Sequence, residues 1–186
     1  RWLHEADSTR PVAVCLNRAD LVEFGTEIND IHYYPPQLLE DFRNETTAPT
    51  LAAEFHGVPE EIERLDDHGL VETWGNGLLR VWNEMDKRPW VAGALICCWE
   101  DGSVNGNLGP RQWGLVDSKR QPKAVHYQTR KVFAAVRLDL KDPKIEGARL
   151  KGSLAVTNKY SFTDLEGFEF QWELLKAGKP VGSGEL

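Results

Sequence analysis

The sequence predicts an α/β fold of parallel strands alternating with helices, followed by a shorter antiparallel β-segment. Three observations point that way. Residues 12–16, 50–53 and 91–96 are short, nearly continuous apolar runs, the pattern of strands covered on both faces. Residues 70–85 and 122–136 carry apolar side chains at spacings of three and four, as one face of a helix requires. Beyond Leu154 the apolar period falls to two, which marks strands with a single buried face.

Taken in order, Trp2, Leu3 and His4 read as a helix end, the stretch from Asp7 to Pro11 breaks it, and residues 12–16 form the first strand. A polar, loop-like segment with Gly25 follows. Asn29-Asp30-Ile31-His32-Tyr33-Tyr34 is a short strand stopped by Pro35 and Pro36, leaving His32, Tyr33 and Tyr34 at its end to face a pocket. Residues 37–43 form a short helix and 45–49 a loop. Pro49 then opens Thr50-Leu51-Ala52-Ala53-Glu54, where a carboxylate sits as the apolar run stops and Gly57 and Pro59 turn the chain. A buried strand of a (β/α)₈ barrel delivers a charge to its rim in this way, and such barrels do their chemistry at the C-terminal strand ends. The plainer alternative is a strand-terminal Glu paired with an Arg.

The acidic run 60–67 reads as a solvated loop or a single helical turn without a catalytic role. In the helix over 70–85, Gly75 and Gly77 each cost about 1 kcal/mol relative to alanine if interior and exposed, and Trp74 and Trp82 belong to the core stripe. Residues 90–99 form a further strand that ends in Trp99, Glu100 and Asp101, followed by a Gly- and Asn-rich connecting loop to Gly109. Pro122 suits the first turn of a helix reaching Val136. A domain boundary is expected at Leu138, giving residues 1–138 and 139–186. Residues 139–147 are the connection, and some three antiparallel strands follow, with a hairpin turn at Lys176-Ala177-Gly178-Lys179.

Composition narrows the function. The 22 basic against 29 acidic residues give a net charge of −7, which argues against nucleic acid or an anionic membrane surface as partner. Seven Trp and four Tyr supply flat surfaces for packing or for stacking on sugar rings. Three Cys, two of them adjacent at Cys97 and Cys98, make no disulfide framework and no zinc spacing, so buried free thiols and no metal ligands are expected. The first residue is Arg1, no apolar run approaches membrane-spanning length, and the expectation is a piece of a longer polypeptide whose compartment the sequence does not assign.

Four βα-type units followed by the opening of a β-sandwich resemble the β-galactosidase branch of the family-2 glycoside hydrolases. Arg1-Trp2 with Asp7-Ser8-Thr9-Arg10-Pro11-Val12 looks like that family's fifth barrel helix and strand, and Asp30-Ile31-His32-Tyr33-Tyr34 like its sixth strand. Ala53-Glu54-Phe55-His56-Gly57 is similar to the nucleophile-bearing seventh, and residues 91–96 running into Trp99 to the eighth. Trp113 to Asp117 with Arg120 to Ala124 is similar to the segment opening the last barrel helix, and residues 156–163 and 178–186 to the start of the post-barrel domain.

The resemblance implies the C-terminal half of a (β/α)₈ TIM barrel, strands five to eight, followed by the first strands of an antiparallel β-sandwich. It implies retaining hydrolysis of a terminal β-linked sugar, with Glu54 matching the nucleophile and the acid/base lying outside this chain, upstream of Arg1. Tyr33 or Tyr34, Tyr33 preferred, matches a tyrosine that bonds the nucleophile, and Trp99 the sugar-binding floor. His32 and His56 are further candidate substrate contacts. Where the family's sugar-selecting asparagine lies, this chain has Arg111-Gln112-Trp113. The chain itself is expected to hold no cofactor, Mg²⁺ or Na⁺ being cations of the parent enzymes. Its partners are a carbohydrate, the rest of the polypeptide, and a second copy of itself. The competing reading is a non-catalytic carbohydrate-binding or interaction module, in which Tyr33, Trp99 and Trp113 stack on sugar. An unrelated barrel hydrolase with Glu54 as general base leaves the tail unexplained.

Overall fold

The computed structural model describes residues 2–15, 26–45, 47–59, 67–103, 110–147 and 149–186. The segment around Gly25, most of the acidic run and the tip of the Gly- and Asn-rich loop lie outside the described residues, as do Arg1 and Leu16. Two units are distinguished, Arg1–Val132 and Phe133–Leu186.

The first unit is built on four parallel strands in sequence order: β1 (Ala13–Cys15), β2 (Ile28–His32), β3 (Thr50–Glu54) and β4 (Val91–Ala94). Parallel neighbours need crossovers. A 3₁₀ turn at Pro36–Leu38 with helix α2 (Leu39–Glu45) lies between β2 and β3, and α3 (His68–Asp86) lies between β3 and β4. A short α1 (Trp2–Ala6) precedes the sheet, and α4 (Ala124–Val132) closes the unit. Pro35 and Pro36 stop β2 as expected, because neither can donate to the ladder.

Helix α3 shows how the sequence makes an element and then uses it. Asp67, the last residue of the acidic run, caps it by accepting from the N–H groups of Gly69 and Leu70 at 2.8 and 3.4 Å. Val71, Trp74, Leu78 and Met85 of the predicted stripe are buried against the core that Ile31, Ala52 and Phe55 contribute from the strands. Full burial of a Leu78- or Met85-sized side chain stabilises by about 2 kcal/mol. Gly75 and Gly77, expected as weak points, are points of close approach. A Cβ on Gly75 would lie 2.7 Å from Gln128 of α4, and one on Gly77 would lie 2.9 Å from the His56 ring.

The second unit differs from expectation in two ways. Helix α4 ends at Val132, and residues expected as a helix end and a linker are a strand, β5 (Val136–Glu146), paired antiparallel with β6 (Arg149–Asn158). The cause is a period of two that the charges obscure: Val136, Leu138 and Leu140 alternate with Arg137, Asp139 and Lys141, and Leu138 and Leu140 pair opposite Val156 and Leu154. The remaining strands of this unit, β7 (Gln171–Lys176) and β8 (Lys179–Glu185), form their own two-stranded ladder, so the antiparallel part is two hairpins and not one sheet. Their turn falls where predicted, with Ala177 and Gly178 both left-handed at φ 48° and 75°, as a tight two-residue hairpin requires.

Candidate active site

The parallel sheet brings three of the six candidate side chains together. Glu54 is the last residue of β3 and pairs across the ladder with His32, the last of β2, just past an irregularity between Ile31 and His32. The His32 ring nitrogen Nε2 lies 3.4 Å from Glu54 Oε2, with both side chains about a third to two-fifths exposed. Tyr33 follows, and its N–H donates to the Glu54 carbonyl at 2.7 Å. Its φ of 50° takes the chain out of the strand direction, and the phenol meets the Glu54 carboxylate as a hydrogen-bond donor. Burial, then the negative charge of Glu54 and the hydrogen bond to it, push the phenol's pKa above the usual tyrosine value. The His32 and Tyr33 rings meet edge to face at 4.8 Å.

Tyr34 goes the other way. Its ring packs edge-on against Phe42 of α2 at 5.3 Å, partly buried against the core, whereas Tyr33 reaches the carboxylate. His56, expected as a pocket residue, instead packs on α3: its Nε2 donates to the Trp74 carbonyl at 3.0 Å and its ring lies 5.5 Å from the indole. Burial holds its pKa below the usual histidine value, the Trp74 carbonyl opposes this, and the charge of Arg80 adds to it. The physical reason for the redirection is a φ of 47° at His56, which turns the side chain off the strand alternation. Left-handed backbone at a bulky residue costs on the order of 1–3 kcal/mol, so Tyr33, against Glu54, and His56, two residues after it in the chain, are both held in strained conformations by their packing.

Trp99 lies beyond β4, the strand next to β3, and is 60% exposed, with its ring centroid 6.1 Å from that of His126. A backbone ladder fixes its segment. Cys98 N–H donates to Trp113 O, Leu115 N–H to Cys98 O, Val116 N–H to Trp99 O and Asp101 N–H to Val116 O. Beneath that ladder the Asp101 carboxylate accepts from Gly114 N–H at 2.7 Å and from Lys123 Nζ at 2.9 Å, and Lys123 also donates to Gln112 O. This buried pair was not singled out from sequence; Asp101 reads as loop and Lys123 as a helix start. Cys97 and Cys98, expected as free thiols, lie past the end of β4 with their sulfurs side by side.

Among the described residues no group of three or more His, Cys, Asp and Glu side chains could hold a metal ion. A concavity of about 440 Å³ lies on α3, lined by Asn76, Arg80 and Glu84 among others, and does not include Glu54. Glu54, His32 and Tyr33 thus form a rim: a carboxylate held by a phenol, beside an imidazole, at the C-terminal edge of a parallel sheet.

Comparison with solved structures finds this fold in carbohydrate-cleaving enzymes. The chain superposes on β-D-glucuronidase from Dictyoglomus thermophilum with a TM-score of 0.56 at 18% identity, over 70% of this chain and 27% of that one. A family-2 β-galacturonidase from Eisenbergiella tayi, solved with galacturonate bound, gives 0.56 at 17% identity over 70% and 28%. β-Glucuronidase 2 from Bacteroides uniformis gives 0.52 at 16% identity over 99% of this chain and 25% of that one. These likenesses establish a shared fold.

In sequence, residues 154–186 match the profile of domain 4 of β-galactosidase. The β-galactosidase of Priestia megaterium (strain DSM 319 / IMG 1521) is 25% identical over 136 residues, which cover 61% of this chain and 12% of that protein. The resemblance to β-galactosidase-like family-2 glycoside hydrolases therefore holds in the tail as well as in the fold. The chain spans about an eighth of that curated relative and about a quarter of the solved ones.

Proposed function

We propose that this chain is the nucleophile-bearing part of a retaining glycosidase acting on a terminal β-linked sugar, of the β-galactosidase type. Its four parallel strands are strands five to eight of a (β/α)₈ barrel, and its two hairpins begin a β-sandwich domain. Glu54 attacks the anomeric carbon, and the glycosidic oxygen leaves with a proton from a second carboxylic acid supplied by the polypeptide outside this chain. Water then hydrolyses the glycosyl ester, and the second carboxylate takes the water's proton. Tyr33 donates to the carboxylate, fixing its orientation before attack, and Trp99 offers an exposed face to the sugar.

The observation that carries this reading is the Glu54 carboxylate at a parallel strand's C-terminal end with the Tyr33 phenol against it. In the full-length polypeptide, Glu54→Gln should abolish turnover of aryl β-galactosides, assayed beside β-glucuronides because solved relatives are named for uronides. Near-normal turnover ends the proposal. Sugar affinity undiminished by that substitution, with no hydrolysis by either protein, would favour the binding-module reading, which the exposed Trp99 also permits.

A further inference from the structure

We infer that Gly57, clamped from behind by Trp74 and His56, is a positioning residue: its bare Cα is the seat that holds the Tyr33 phenol against Glu54. The inference rests on the reading of Glu54 and Tyr33 as the working pair, and it gives Gly57 and Trp74 a role that neither the apolar pattern nor the resemblance assigns.

The seat is steric. A Cβ built on Gly57 would lie 2.6 Å from Tyr33 Oη and 3.4 Å from Cε1 and Cζ of the same ring. Ordinary contact begins at 3.4 Å, so any side chain here drives the hydroxyl away by roughly 0.8 Å or displaces the Gly57 backbone. The backbone cannot retreat freely. Trp74 Nε1–H donates to the Gly57 carbonyl at 3.1 Å, and Trp74 is itself buried in α3 with its own carbonyl accepting from His56 Nε2 at 3.0 Å. The left-handed conformation of His56 is what lets both bonds form, because it points the imidazole at α3 and presents the next carbonyl to the indole. A route of direct contacts therefore runs from α3 through Trp74 and Gly57 to the Tyr33 hydroxyl and on to Glu54.

The test reads Tyr33 directly as well as through turnover. In the full-length polypeptide carrying isotope-labelled tyrosine, the ring-carbon NMR signal that disappears in Tyr33→Phe reports ionisation of this phenol. Burial first, and then Glu54, hold that phenol above the usual tyrosine range, so Glu54→Gln should bring its titration down. Gly57→Ala should do the same by parting the two groups, and should lower kcat about 10- to 100-fold with little change in KM, as a misplacement of under 1 Å predicts. Trp74→Phe keeps an aromatic ring and loses only the donor, so it should give a smaller shift and loss of the same sign. It stands as the second variant should Gly57→Ala fail to fold.

An unmoved Tyr33 titration in Gly57→Ala, or in Trp74→Phe if only that variant folds, overturns the inference. A shifted titration with normal turnover in Glu54→Gln would sink the glycosidase reading and leave the seat standing. An inactive Glu54→Gln beside an unaltered Gly57→Ala would sink the seat alone.

Discussion

Replacing Lys123 by Met tests whether the segment carrying Trp99 is held by a buried ion pair. The Lys123 and Asp101 side chains are 7% and 15% exposed and meet at 2.9 Å. Methionine keeps most of the apolar stem and removes the charge, so Asp101 keeps the Gly114 N–H as a donor and loses the ammonium. Breaking a buried pair by deleting one partner costs about 3–5 kcal/mol, and the partial access of water to Asp101 argues for the low end, about 3 kcal/mol. Urea unfolding followed by tryptophan fluorescence should then show a midpoint lower by about 1–3 M, given slopes of about 1–3 kcal/mol per molar. A second substitution gives a check of sign. Asp101→Asn on top of Lys123→Met removes the stranded charge while its amide oxygen still accepts from Gly114, so the double variant should be more stable than the single. A midpoint for Lys123→Met within about 0.5 M of wild type, or a double variant weaker than the single, would refute the buried-pair account.

Two further outcomes are expected. His56 has its pKa lowered in the fold by burial, so the folded state binds its proton less readily than the unfolded chain, whose histidines titrate near 6.5. The contribution is therefore complete above about pH 6.5 and is lost as pH falls through the folded value; His56→Gln should flatten the decline in urea midpoint between about pH 7 and pH 5, and an unchanged slope would count against it. The 186-residue chain on its own should self-associate and lack glycosidase activity, because β1 and β4 are the edges of the parallel sheet among the described residues and Leu140, Leu154, Trp172 and Leu174 are exposed apolar side chains. Sedimentation velocity with an aryl-glycoside assay decides this, and a monomeric chain that turns over substrate is the contrary result.

The elements that were legible in the sequence are those whose burial follows one clean period. The stripe from Val71 to Met85 and the run from Thr50 to Glu54 could be read because each has its buried face set by a single repeat. The strand Val136–Glu146 was not, since Arg137, Asp139 and Lys141 alternate with its apolar residues and obscure the period of two.

At the site the same limit has a sharper form. Strand alternation assigns His32, Tyr33 and Tyr34 to opposite faces in turn, and it would send His56 to the same face as Glu54. Both rules fail at the residues where φ becomes positive. Tyr33 leaves the strand and reaches Glu54, Tyr34 drops into the core beside Phe42, and His56 turns to α3. No hydrophobic period records such a change of hand, since Tyr and His carry no preference strong enough to announce it. What the sequence does carry is the permissive partner: Gly57, read at first only as a turn, is the one residue type that leaves room for the phenol once Tyr33 has swung over. Had position 57 held any other residue, the same apolar run and the same carboxylate would predict the same strand, yet the hydroxyl could not occupy its place against Glu54. The strand end supplies the charge, and the turn after it decides what that charge can touch.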